Sequence, residues 1–309
     1  MRRAQLPPTL LAVAAGQGGV VSVAQARDHG LSDKDVAGLV RRGTVVRVTR
    51  GVYDVGAVPL AGRSWDERRL RAAWVGLLAF GDDAVAVGSC ALVLHGVRGL
   101  PATVRPEAAV PRGRNRRDRH GIALRQFDAG MTTTELAGRR VATLDWALAQ
   151  AVPELPRANA LAVLDSALHQ GLADADGLRR AHEHARGRRG VARRHVVWGL
   201  ADARSESPLE SFARLDCVDE GVPPHTLQLP VHDHGGRVVA RGDMAWRYRD
   251  GRWLVAELDG RDVHDTPDAV FADRARQNRL VATGRIDVLR FTGRDVGTIG
   301  RTVRAALHR

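Results

Sequence analysis

The chain has 309 residues, 44% of them hydrophobic, which is enough for two or three compact units with ordinary cores. No apolar run approaches the roughly 20 residues of a membrane-spanning helix, so the composition excludes a membrane span. The opening MRRAQLPPTLLAVAAG imitates a signal peptide, but its apolar stretch is short and we interpret it as a first helix. Cys90 and Cys217 lie too far apart in sequence to suggest a metal-ligand cluster, and they fit a reducing cytoplasm.

The net charge is distributed unevenly along the chain. Of the total of +12, residues 1–60 carry +4, residues 61–200 carry +8, and residues 201–309 are neutral. A surplus of basic over acidic side chains attracts polyanions. We therefore expect double-stranded DNA as the partner of the first two thirds of the chain.

The first 60 residues carry the signals of three short helices followed by a hairpin. Ser22 is placed to cap a helix in VSVAQARDHG, and Ser32 is placed to cap one in LSDKDVAGLVRRG, which ends before Gly43. The following TVVRVTRGVYDVG alternates like two strands, with Gly51 at the turn. This order predicts a winged helix-turn-helix over residues 1–60.

Four arginines of this region are candidates for phosphate contact. Arg41 and Arg42 end the third helix, where a recognition helix meets the DNA backbone, and Arg47 and Arg50 lie on the predicted wing. The alternative is a winged helix that mediates protein contacts or dimerisation, because a fold does not fix its function.

Residues 61–200 predict a mixed α/β middle domain. We expect helices in WDERRLRAAWVGLLAF, in SCALVLHGV with Ser89 as its cap, in VATLDWALAQ and in ANALAVLDSALHQG. Asp145 and Asp165 fit partners of arginine or of helix ends, and the histidines of RRAHEHARG fit an exposed face. The loop PRGRNRRDRHG is either a solvated loop or a phosphate clamp, and its candidate DNA-binding residues are Arg112, Arg114, Arg116 and Arg117.

Residues 201–309 predict a third domain with a mixed sheet and flanking helices. SPLE is typical of a capping box, with Ser207 as N-cap and Glu210 at its third helical position. Strand patterns follow in VVARGDMAWRY and RWLVAELDG, then a helix in PDAVFADRARQNRLVATG, a strand in DVLRFT and a closing helix. The whole chain is thus expected to be a multidomain α+β or α/β protein.

Three acids of the predicted hairpin form the clearest chemical pattern. Strand alternation places Glu257 and Asp259 on one face of LVAELDG. A two-residue turn would leave Asp243 on the opposite face, whereas a three-residue turn ending in Gly251 sets Asp243 opposite Glu257. We predict the three-residue turn.

A patch of carboxylates suits a hard divalent cation such as Mg²⁺ or Mn²⁺. Such an ion polarises a phosphodiester and lowers the pKa of an attacking water, so Asp243, Glu257 and Asp259 predict a metal-dependent nuclease site. His264 is either a general acid or base there or a surface histidine. Glu210 either adds a fourth acid or serves only as a helix cap, and the three acids otherwise form a solvated sheet face.

The segments RGDMAW, LVAELDGRDVH and ADRARQNRLVATGRIDVLRFT resemble the very-short-patch-repair-like branch of the PD-(D/E)XK nuclease superfamily, over residues 205–309. The resemblance implies a restriction-endonuclease-like fold, Asp243 and Glu257 as metal ligands, and His264 as an assisting group. Asp259 stands where that superfamily usually has a lysine, so the resemblance bears more on fold than on catalysis.

The segment VVSVAQARDHGLSDKDVAGLVRRGTVVRVTRGVYDVG is similar to the winged helix of AbiEi-type antitoxins. Those antitoxins belong to type IV toxin-antitoxin systems and repress their own operons, which implies operon DNA and a cognate toxin as partners. Two hypotheses result. The protein is a DNA-binding, metal-dependent endonuclease in phage defence or a toxin-antitoxin system, or it is a non-enzymatic antitoxin and repressor whose nuclease fold is degenerate.

Overall fold

The computed structural model describes residues 5–56, 58–111, 118, 121–232, 235–259 and 286–308. The chain divides into two compact units, Met1–Leu155 with Ala173–His195, and Pro156–Leu172 with Val196–Arg309. The division into domains at residues 1–60, 61–200 and 201–309 remains a prediction. In the described part of the chain, no helix has the length and apolar character needed to cross a bilayer.

The described elements mix helices and strands throughout the chain, as expected. The helices are α1 (Pro8–Gly16), α2 (Val23–Asp28), α3 (Asp33–Arg41), α4 (Trp65–Phe80), α5 (Gly88–Leu94), α6 (Leu144–Ala151), α7 (Arg157–His169), α8 (Ala175–His184), α9 (His195–Leu200), α10 (Pro208–Asp219) and α11 (Ile299–Leu307). The strands are β1 (Val20–Ser22), β2 (Val46–Thr49), β3 (Val52–Asp54), β4 (Val85–Ala86), β5 (Glu107–Ala109), β6 (Ala123–Arg125), β7 (Thr133–Leu136), β8 (Arg139–Ala142), β9 (Thr226–His232), β10 (Val238–Arg247), β11 (Trp253–Asp259) and β12 (Ile286–Thr292).

The first unit begins with three helices and a three-stranded antiparallel sheet of order β1-β3-β2. Ser22 and Ser32 cap α2 and α3, and each forms a reciprocal capping box with the third helical residue. Gly43 adopts φ +70° just beyond α3, and Gly51 adopts φ +78° in the turn before β3. These predicted helices and strands are therefore confirmed.

A buried ion-pair cluster joins β3 to α4 within the first unit. Arg63 Nη2 lies 2.6 Å from Asp54 Oδ1, and Arg71 Nε lies 2.7 Å from Asp54 Oδ2. Arg63 also donates to the carbonyl oxygens of Gly18 and Val58. Burial opposes ionisation of Asp54, but the hydrogen bonds from both guanidinium groups hold its pKa below the ordinary value. The cluster fixes the N-terminal elements against α4.

The rest of the first unit contains a five-stranded mixed sheet of order β6-β5-β4-β8-β7. One prediction for this region is wrong: Ser89 does not cap α5, because the helix begins at Gly88 with Val87 as N-cap. The first amide groups of α5 donate instead to distant side chains. The N–H of Gly88 donates to Gln150 Oε1 at 2.9 Å, and that of Ser89 donates to Glu107 Oε1 at 3.2 Å.

The second unit is built on a four-stranded sheet of order β12-β11-β10-β9. The strands are antiparallel except for the parallel pair β11 and β12. Helices α10 and α11 pack on one face of this sheet. Their shared core consists of Ala213, Cys217, Leu227, Met244, Trp246, Leu254, Ala256, Phe291, Ile299 and Val303. Met244 and Trp246 of β10 and Leu254 and Ala256 of β11 thus face the helices, and the odd-numbered residues between them face away.

Candidate functional site

Helix α3 presents an exposed face with cationic ends. Its inner side places Val36 and Leu39 in the core of the N-terminal elements. Lys34, Ala37 and Arg41, spaced three and four residues apart, lie on the other side and are exposed. The small side chain of Ala37 between two cations allows a polyanion to approach the helix backbone closely.

Two acids also lie in the first turn of α3, and both have partners. Asp33 accepts hydrogen bonds from Arg27 Nε and Nη2 at 2.8 and 2.7 Å, which holds its pKa below the ordinary value. Asp35 accepts from the Ser32 hydroxyl and backbone, which lowers its pKa in the same way. The negative charges of Asp33 and Asp35 interact favourably with the positive N-terminal end of the helix dipole. The charge of the outer face of α3 is therefore set by Lys34 and Arg41.

Of the eight arginines predicted for DNA contact, the four in the first 60 residues are all exposed. Arg41 is the last residue of α3 and Arg42 is its C-cap, while Arg47 lies on β2 and Arg50 in the turn that follows. Val46, beside Arg47, is 63% exposed, so β2 also offers an apolar contact. The residues of the predicted phosphate clamp, Arg112, Arg114, Arg116 and Arg117, lie outside the described residues.

The hairpin of the second unit has the predicted register. Met244 pairs with Ala256 and Arg247 with Trp253. The Tyr248 N–H donates to the Arg252 carbonyl at 2.8 Å, which leaves residues 249–251 as a three-residue turn. Gly251 adopts φ +87°, the left-handed conformation that this turn needs. The paired residues run from Arg247 to Met244 on β10, so the three-residue turn is confirmed, while the pairing of Asp243 with Glu257 stays a prediction.

The carboxylates of this hairpin have different environments. Asp243 Oδ2 accepts the backbone N–H of Leu258 at 2.7 Å. Glu257 is only 6% exposed, and its Oε2 lies 3.2 Å from Nη2 of Arg290, its partner on the parallel strand β12. Asp259, at the end of β11, is exposed. Asp243 is thus bonded to the neighbouring strand, Glu257 is buried and ion-paired, and Asp259 is exposed.

Glu210 has a more complex role than the predicted capping box. Ser207 caps α10 by accepting a hydrogen bond from the Glu210 N–H. In a capping box the Glu210 carboxylate would accept the N–H of Ser207, but it accepts the N–H of Glu206 instead, at 3.0 Å. The N-cap is therefore confirmed, and the prediction of a full capping box is wrong. Glu210 Oε2 also accepts Gln228 Nε2 at 2.9 Å, and burial raises the pKa of this carboxyl. Gln228 adopts φ +55°, and the β9–β10 register places it beside Asp243. Glu210 is thus held by the Ser207 cap region and by the side chain of Gln228 on β9.

The carboxylates match a hard divalent cation in donor type, because Mg²⁺ is often held by one or two carboxylates with waters and phosphate oxygens. Arg290 competes for Glu257, and the Leu258 N–H occupies one oxygen of Asp243. Among the described residues, no three Asp, Glu, His or Cys side chains come together as a metal site. His264 lies outside the described residues.

Sequence reasoning missed Arg290 and Gln228. Arg290 reaches Glu257 only because β12 runs parallel to β11, with residues 260–285 between them in the chain. Gln228 lies beside Asp243 because of the antiparallel register of β9 and β10, which no local motif encodes. Among the acids, Asp165 is confirmed as the partner of a buried arginine, Arg214, and Asp145 lies in the first turn of α6.

Comparison with known proteins supports the N-terminal site. A family model described as "Transcriptional regulator, AbiEi antitoxin" matches residues 8–54, which span α1 to β3. Two Mycobacterium tuberculosis proteins, "Uncharacterized protein MT2308" of strain CDC 1551 and "Uncharacterized protein Rv2248" of strain H37Rv, are 34% identical to this chain over 245 residues. Each match covers 79% of this chain and 84% of the relative.

Proposed function

The chain belongs to the same family as the Mycobacterium tuberculosis proteins MT2308 and Rv2248, and from this premise we propose that it is a DNA-binding transcriptional regulator. Residues 8–54, which match the AbiEi regulator model, act as a winged helix-turn-helix that docks on double-stranded DNA. The exposed face of α3, with Lys34 and Arg41 on either side of Ala37, is the observation that carries this proposal.

Each part of this face has a defined task in DNA binding. Helix α3 enters the major groove, where Lys34 and Arg41 reach base edges or flanking phosphates while Ala37 permits close approach. Arg42, at the helix C-cap, and Arg47, on the wing, contact phosphates and set the register of the protein on the duplex. Base contacts then supply the sequence preference that a regulator needs.

We place this regulator in the cytoplasm, on the DNA upstream of its own gene, with a toxin of the same operon as its partner. Gel retardation tests the DNA-binding part. The full chain is expected to retard its own upstream duplex more strongly than a scrambled duplex, and Arg41→Ala with Arg42→Ala is expected to weaken that retardation. A wild-type protein that retards neither duplex, or a double variant that binds as the wild type does, would show that the proposal is wrong.

Metal-dependent phosphodiester hydrolysis by the second unit is a second candidate function, favoured by the hydrogen bond from the N–H of Leu258, the residue after Glu257, to Asp243 Oδ2. Asp243 and Glu257 would hold Mg²⁺ or Mn²⁺, which supplies charge to polarise the phosphodiester and its attacking water. The full chain is expected to nick supercoiled plasmid with either ion. Asp243→Asn and Glu257→Gln should each stop nicking and leave retardation intact, whereas a wild-type protein that never nicks would contradict this function.

A further inference from the structure

A second arginine-rich surface lies on the first unit, away from α3 in sequence. Residues 179–194 contain seven arginines and a single acid, Glu183. The structure separates these arginines by their tasks. Some of their side chains form hydrogen bonds or ion pairs with the rest of the unit. Others are exposed and have no such side-chain partner among the described residues.

Two arginines anchor this segment. Arg188 Nη2 donates to Asp128 Oδ2 at 2.5 Å, and both side chains are about a quarter exposed. Arg194 donates from Nε and Nη2 to the Leu155 carbonyl at 3.0 and 2.7 Å. Removing either guanidinium would therefore release a loop, and neither group is available to a ligand.

The backbone of the loop at residues 185–195 is also held in place. Gly190 adopts φ +92°, and a Cβ there would lie 2.5 Å from the Pro153 carbonyl oxygen, so this position demands glycine. His182 Nε2 and His195 Nδ1 are 2.8 Å apart and hydrogen-bonded, which joins the last turn of α8 to the end of the loop. The loop is thus anchored at its centre and at both sides.

Three arginines of this loop remain available. Arg186, Arg189 and Arg193 are exposed, and in the described part of the chain the side chain of none of them has an ion pair or hydrogen bond. Like charges held on an anchored loop repel one another, and the loop cannot relax to separate them. A bound polyanion relieves this repulsion. Its binding costs little backbone entropy, because the loop is already ordered.

We propose that Arg186, Arg189 and Arg193 form a second DNA contact, which binds the phosphate backbone of a duplex without reading its bases. This inference rests on the proposed DNA-binding function. Guanidinium groups match phosphate oxygens in geometry and charge. An acidic protein is the competing partner, because Val196, three residues after Arg193, is 64% exposed and offers an apolar contact, and the test below distinguishes the two.

The salt dependence of binding tests this contact. Fluorescence anisotropy of the full chain on a labelled duplex gives the slope of log K against log salt concentration, which changes by about 0.9 for each phosphate contact. Replacing all three arginines by Ala is expected to make the slope shallower by about 2 to 3. Replacing them by Gln repeats the test with longer side chains, and replacing them by Lys is expected to retain most of the slope.

A matched control removes the same charge from arginines that already pair with acids. Arg179, Arg204 and Arg252 form exposed ion pairs with Asp176, Asp202 and Asp250, and their triple Ala variant is expected to keep the wild-type slope. Thermal melting followed by circular dichroism confirms that each variant is folded.

The outcomes separate this inference from the function on which it rests. If Lys34→Ala with Arg41→Ala weakens binding but the Ala and Gln triple variants keep the wild-type slope, the second contact does not exist and the regulator proposal stands. If the wild-type chain binds no duplex, both proposals fall. Tighter binding of poly-glutamate than of duplex, lost in the triple variants, would assign the surface to an acidic protein instead.

Discussion

Arg214 on α10 donates from Nη2 to both carboxylate oxygens of Asp165 on α7, at 2.8 and 2.7 Å. The two side chains are 7% and 1% exposed, so this ion pair is buried within the second unit. Ser211 donates to the same carboxylate, and the Leu200 carbonyl accepts from Arg214 Nη1. The pair therefore belongs to a polar network whose members depend on one another.

Removing one partner of this pair should destabilise the second unit strongly. Arg214→Ala leaves Asp165 buried without its cation, and we expect a loss of about 3 to 5 kcal/mol in unfolding free energy. Arg157→Ala is the matched control, because Arg157 and Asp219 also join α7 to α10 but are 37% and 46% exposed, and we expect a loss of about 1 kcal/mol or less. Calorimetric unfolding measures both, and equal effects would contradict the account.

The stability of the first unit should depend on the ionisation of Glu107. Burial raises the pKa of this carboxyl from 4.5 to about 7, and nearby Arg125 only partly offsets the effect. Between those pH values the folded state binds the proton that the unfolded state has released. Stability contributed by the protonated carboxyl is therefore present at low pH and decreases as the pH rises to about 7.

Glu107→Gln isolates this contribution, because an amide retains an acceptor for the Ser89 N–H but does not titrate. Arg125 keeps Glu154 as a partner in the variant. We compare the unfolding free energy of the variant with that of the wild type at each pH. The difference, variant minus wild type, should be larger at pH 8 than at pH 5 by on the order of 2 to 3 kcal/mol. Urea unfolding at both pH values gives this difference, and a difference that does not change with pH would rule out the raised pKa.

Gly190 should tolerate a side chain much less well than Gly187, although both adopt left-handed backbone angles. Ala at either position costs about 1 to 2 kcal/mol for the conformation alone. A Cβ at Gly187 meets nothing within 4 Å, whereas one at Gly190 would collide with the Pro153 carbonyl. Urea unfolding should show a clearly larger loss for Gly190→Ala. Equal losses would mean that the loop is not held against Pro153.

Local signals in the sequence were sufficient for helix α3 and for the hairpin turn of the second unit. Ser32 caps α3 by accepting a hydrogen bond from the N–H of Asp35, the third residue of that helix. The turn at residues 249–251 needs only a glycine in the left-handed position. In both cases every interacting group lies within a few residues. The helix and the hairpin turn could therefore be predicted.

Interactions between distant residues could not be predicted in this way. The cap of α5 is supplied by Glu107 and Gln150, and Ser89, the local candidate, is itself a donor to Glu107. Arg290 neutralises Glu257 from a parallel neighbour strand, and Glu210 bonds to Gln228 on β9. Partners such as these depend on sheet order and register, which hydrophobic periodicity does not encode.

If α3 reads DNA, the ratio of two dissociation constants must depend on its side chains. Anisotropy titrations give Kd for the chain's own upstream duplex and for a scrambled duplex of the same length. Lys34→Ala with Arg41→Ala should lower the preference for the upstream duplex by about tenfold or more. The control, Arg179→Ala with Arg204→Ala, should leave the ratio unchanged. A ratio in the α3 variant equal to that of the wild type would contradict this role of α3.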